Sequence, residues 1–151
     1  AAVAAADALA AIDPRGFVAI KPWTGRVILA RAVADESPHP APESPDLLRR
    51  ALGKLEELSA RDPADARIRR DLWAAYGIAG EAYEFLAARA PTPADRRQWL
   101  AEAAASYQNC LDLHNLRAAR GEAQPSEAAD IAHLIAHIPL LRAELAAPPA
   151  R

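Results

Sequence analysis

The sequence predicts an all-α fold of antiparallel helical hairpins, and three observations predict it. Glycine is scarce, with 6 in 151 residues, and alanine, which loses no side-chain entropy in a helix, is abundant. From Ser44 onward a helix-starting residue followed by proline or an acid keeps returning, as in Ser44-Pro45-Asp46, Asp62-Pro63 and Thr92-Pro93-Ala94-Asp95. Between these marks, apolar residues recur at helical spacing.

Taken in order, Val3 to Ile12 is expected to form a short helix stopped by Asp13-Pro14 and Gly16. Phe17 to Ala34 is mixed: β-branched runs flank Lys21-Pro22-Trp23-Thr24-Gly25 as in a hairpin, while Val27 to Val33 also suits a helix. Pro38, Pro40, Pro42 and Pro45 make Ser37 to Pro45 a linker. The expected organisation is therefore an irregular or β-hairpin-like N-terminal segment over 1–36, a proline-rich linker over 37–45 and a helical module over 46–147.

The first helix of the module carries Leu47, Leu48, Ala51, Leu52, Leu55 and Leu58, with Ser44 as its cap. The second opens at Asp62-Pro63, carries Ile68, Leu72, Trp73, Tyr76, Ala79, Tyr83 and Leu86, and ends before Pro91. The third is capped by Thr92 and carries Trp99, Leu100, Ala103, Ala104, Tyr107, Cys110, Leu111 and Leu113. Gly121 suits the left-handed turn that ends it. Ser126 is expected to cap the fourth, which bears Ile131, Leu134, Ile135, Ile138, Leu141 and Leu145, with Pro139 inside it. Short turns make neighbouring helices antiparallel.

A net charge of −2 argues against nucleic acid as a partner, since such proteins present a strongly basic face. No run approaches the roughly 18–20 apolar residues of a membrane span. Cys110 is the single cysteine, so no intrachain disulfide can form, and a reducing, cytoplasmic setting is expected. The chain contains no methionine, and a piece of a larger protein is expected.

Tyr76, Ala79, Gly80 and Tyr83 on the second helix, with Ala103, Tyr107 and Cys110 on the third, fall in the register of a tetratricopeptide (TPR) repeat. Gly80 and Ala103 would let the helices approach while the tyrosines fill the space around them. Ala51, Leu55, Leu58 and Pro63 repeat the second half of that pattern. Ala60 to Ala66, Arg70-Asp71-Leu72 and Tyr107 to Gly121 resemble the TPR regions found at the C-terminal ends of bacterial eukaryotic-like serine/threonine kinases and related signalling proteins. The resemblance spans about Asp46 to Leu145. It implies an α-solenoid of TPR type and a non-catalytic role as a protein-protein interaction or scaffold module. The sequence departs from the pattern at Ala79, where leucine is usual, and around Ala90 to Gln98, which lengthen the hairpin. One repeat and a half is also short of the three that solenoids usually need.

Catalytic motifs do not stand out, so neither an enzyme nor a cofactor is expected. Val18-Ala19-Ile20-Lys21 spells the kinase strand motif but lacks the accompanying glycine-rich, HRD and DFG sequences. Pro42-Glu43-Ser44-Pro45 fits PxxP, as proline-rich linkers commonly do. Glu81, Glu84 and Asp95 read as a solvated face and a cap. Cys110 and His114, like His133 and His137, are four residues apart on one helix, so a zinc site from these four is an alternative.

In the TPR-like reading the groove-facing positions are Arg70, Ala74, Gly77, Glu81 and Glu84. The family's clamp for a peptide carboxylate uses lysine and asparagine, whereas these positions offer two acids and small residues. The expected partner is therefore a basic or apolar protein or peptide segment rather than an acidic C-terminus. Self-association is a further expectation. A third reading is a helical subunit or regulatory piece of a larger assembly, docked through Phe17 to Ala34.

Overall fold

The computed structural model describes residues 44–147. The short helix, mixed segment and linker expected up to residue 43 lie outside the described residues. Those described form four α-helices and no strand: α1 (Ser44–Arg61), α2 (Ala66–Ala88), α3 (Pro93–Ala119) and α4 (Ala128–Ala146), with a 3₁₀ turn at Pro125–Glu127 before the last. α1 takes in Ser44 and Pro45, and a proline in the first turn sacrifices no helical hydrogen bond.

Each helix packs on its neighbour in the chain, and α2 against α3 is the most extensive pairing. The core is one cluster running from Leu48, Ala51 and Leu55 through Leu72, Ala79 and Tyr83 to Tyr107, Ile131, Ile138 and Leu141. α2 and α3 fit tightly at Gly80. A Cβ built there would lie 2.3 Å from the Tyr107 ring, so only glycine admits that ring. Tyr83 stacks on Trp99 with centroids 6.1 Å apart, and Tyr76 donates to Glu56 Oε1 at 2.6 Å, tying α2 to α1. The apolar stripes are buried largely as expected. The exception is Ile135, which is 57% exposed, because the buried face of α4 follows Ile131, Leu134, Ile138 and Leu141.

The helix ends confirm two caps and correct two. Thr92 caps α3, its Oγ1 accepting from Asp95 N at 3.1 Å. Gly121, at φ 71°, completes a Schellman turn in which its N–H reaches Ala118 O and the Glu122 N–H reaches Arg117 O. α2, however, does not open at Asp62-Pro63. Asp62 Oδ1 accepts from Ala64 N in the connecting turn, and Asp65 caps the helix by accepting from Arg67 N at 2.8 Å. Ser126 is not a cap either. It lies inside the 3₁₀ turn, and α4 begins without a side-chain cap because Glu127 turns inward to Arg117.

Candidate functional site

No Cα of α2 comes within 8 Å of one of α4, although both flank α3. The gap is a furrow with α3 as its floor. Near the start of α4 it holds a cleft of about 370 Å³, where Trp73, Gly77 and Glu81 face Tyr107, Asp130 and His133. Towards the other end it widens into a cleft of about 550 Å³, where Glu81, Glu84 and Phe85 face Arg96, Leu140 and Glu144. Of the positions expected to face a groove, Ala74, Gly77 and Glu81 line the first cleft, and Glu81 and Glu84 line the second. Arg70 lines neither. It is exposed and stands 3.7 Å from Asp71.

Glu84 crosses the furrow between the clefts. Its Oε2 accepts from Tyr107 Oη at 2.7 Å and its Oε1 accepts from His137 Nε2 at 2.9 Å. It is therefore not a plain surface acid, as its sequence setting implies. Gly80 admits the Tyr107 ring, and the ring carries the hydroxyl that orients the carboxylate. His137 also meets Tyr107 edge-on at 5.8 Å and stacks on His133 at 5.1 Å.

The four candidate zinc ligands are not brought together. The Cys110 thiol donates to Trp73 O at 3.4 Å, and burial pushes its pKa up to about 12, which opposes the thiolate a metal requires. His114 contacts Glu127 Oε2 at 3.2 Å, while His137 is engaged with Glu84. Among the described residues no group of three or more His, Cys, Asp and Glu side chains is placed to hold a metal ion.

Two buried arginines tie the turns between the helices together, and neither is marked by the helical periodicity. The Arg117 guanidinium makes paired bonds of 3.0 and 2.9 Å to the Glu127 carboxylate, donates to Glu122 O, and lies 4.8 Å from the centroid of the Trp73 ring. Burial raises the Glu127 pKa, but the Arg117 hydrogen bonds and charge outweigh it and hold the carboxyl below its usual range. Arg69 bonds the Glu122 carboxylate and the Pro63 and Ala64 carbonyls, joining the α1–α2 turn to the α3–α4 turn.

No family model matches the chain, and the comparisons with curated proteins and with solved structures also found no match. No helix among the described residues is long and apolar enough to cross a membrane.

Proposed function

We propose that the helical module is a non-catalytic protein-interaction module of TPR-like type, in a larger bacterial signalling protein of the cytoplasm, and that the furrow between α2 and α4 takes a basic or apolar segment of a partner. One observation carries this reading. Four of the five positions that face the groove in a TPR-like first helix line a single furrow whose walls are apolar and acidic. Among the described residues that line it, Glu81, Glu84, Asp130 and Glu144 stand against the guanidinium of Arg96, itself paired with Glu144. Such a surface repels an acidic terminus and favours a cation with apolar flanks.

Selection from a random displayed peptide library on the full chain tests the reading. Enriched peptides should be basic and apolar, and should shift the amide resonances of Gly77, Glu81 and Glu84. Enrichment of acidic C-termini, or shifts confined to other faces, would refute it.

A second reading, self-association or subunit packing through α4, is favoured by Ile135 and Leu140, which are 57% and 65% exposed. Light scattering on the wild type and Leu140→Glu decides it, because an α4-mediated dimer should revert to monomer in the variant.

A further inference from the structure

The bridge at the middle of the furrow is a hydrogen bond between side chains of two helices that have no backbone contact. Glu84 on α2 and His137 on α4 are 31% and 25% exposed, so solvent and a ligand can both reach the pair. Tyr107 holds the other carboxylate oxygen from the floor of the furrow, and its ring meets His137 edge-on. Glu84 is thus a fixed anion whose second oxygen faces an exchangeable partner.

We propose that Glu84 is the anchor for a basic side chain of the partner, and that this side chain binds by displacing His137. The proposal rests on the furrow being a peptide groove. The bound segment would be an arginine or lysine with apolar residues on either side. Its cation would meet Glu84 and its flanks would enter the two clefts, one walled by Trp73 and Leu134 and the other by Phe85 and Leu140. A guanidinium fits best, because a carboxylate oxygen already positioned by Tyr107 presents a directional acceptor.

His137 gives Glu84 one N–H donor, whereas a guanidinium brings a full positive charge and two parallel donors. The other charged groups around the junction are Glu81 on α2, Asp130 and His133 on α4, and the Arg96–Glu144 pair between α3 and α4.

The test uses the full chain and three capped peptides of leucines around one central residue: arginine, its uncharged isostere citrulline, or glutamate. Binding is read by titration calorimetry and by the amide shifts of Gly77 and Glu84. The arginine peptide should bind about tenfold more tightly than the citrulline peptide near pH 7.5. Glu84→Gln, which still accepts from Tyr107, should abolish the preference. His137→Ala, which removes the competitor for Glu84, should keep it and bind the arginine peptide no more weakly than the wild type. Circular dichroism melts of both variants check that the fold is intact, and a melted variant is replaced by the same comparison on wild type with lysine and norleucine peptides. Equal binding of the arginine and citrulline peptides with shifts in the furrow would overturn the anchor and leave the groove reading standing. Absence of binding by all the peptides up to millimolar concentration would overturn both.

Discussion

Gly80→Ala isolates the close approach of α2 and α3. The new Cβ would lie 2.3 and 2.4 Å from two carbons of the Tyr107 ring and 2.7 Å from a third. Ordinary contact begins near 3.4 Å, so the ring must retreat by about 1.1 Å. It is not the loose end of a flexible chain, because Tyr107 is buried and its hydroxyl is held by Glu84. Overpacking of this kind costs about 1–3 kcal/mol. The higher helix propensity of alanine returns about 0.5–1 kcal/mol. The net expectation is a loss of up to about 2.5 kcal/mol, centred near 1. Gly53 in α1 is the matched control. It is exposed, and a Cβ there meets nothing within 4 Å, so Gly53→Ala should stabilise by about 0.5–1 kcal/mol. Urea denaturation measures both, read as midpoint shifts at constant slope. Combining Gly80→Ala with Tyr107→Leu should recover part of the loss if the clash is with the ring, as a double-mutant cycle would report. Stabilisation by Gly80→Ala equal to that by Gly53→Ala would refute the reasoning.

Gly121→Ala forces a β-carbon into the left-handed region at φ 71° and should cost about 1 kcal/mol, seen as a lower urea midpoint. Acid should destabilise the fold. The Arg67 side chain pulls Asp65 down to about 2, and Arg69 and Arg117 depress Glu122 and Glu127. Folded values below the unfolded ones mean that the folded state binds fewer protons, so this stability is present above about pH 4.5 and disappears as pH falls through the depressed values. Melting temperatures from pH 6 to pH 2 should show the decline, and Arg117→Leu paired with Glu127→Leu should flatten part of it. Cys110, with its pKa pushed up to about 12 by burial, should react with a disulfide reagent at pH 8 only after urea unfolds the chain. Rapid labelling of the native protein would contradict the burial.

The parts of the fold that were legible in the sequence are those decided by near neighbours. Thr92 and Gly121 declare themselves because a cap and a left-handed turn involve residues within a few positions. Gly80 and Tyr107 are both marked as packing residues by the repeat register, but the sequence pairs Gly80 with Ala103, whereas the structure sets it against the Tyr107 ring. Asp62 misled because two aspartates flank Pro63-Ala64, and either could cap. The choice falls to Asp65 in a setting where Arg69 holds the Pro63 and Ala64 carbonyls and reaches Glu122, 53 positions away. Ser126 misled for a related reason, since Glu127 is drawn into the core by an arginine ten positions back. Glu84 reads as solvated because a helical wheel cannot see Tyr107, 23 residues on, or His137, 53 residues on. Cys110, His114, His133 and His137 are left ungrouped on the same ground: i and i+4 spacing puts two side chains on one side of a helix but does not aim two helices at one point.

What distinguishes the furrow from an ordinary gap between helices is where its restraints sit. At one end Arg117 clamps Glu127 and the Glu122 carbonyl, holding the start of α4 to the end of α3. At the other, Arg97 on α3 donates to Leu145 O at 2.6 Å and Ala147 O at 2.9 Å, and Arg96 pairs with Glu144. Between these ends Ile131, Leu134, Ile138 and Leu141 seat α4 in the core. The Glu84–His137 bond adds to that seating a link across to α2, worth about 1–3 kcal/mol as a charge-assisted hydrogen bond. Breaking it leaves both clamps and the apolar seat in place. In the exchange proposed for Glu84, a partner cation would therefore take the place of His137 without loosening the walls that its apolar flanks would meet.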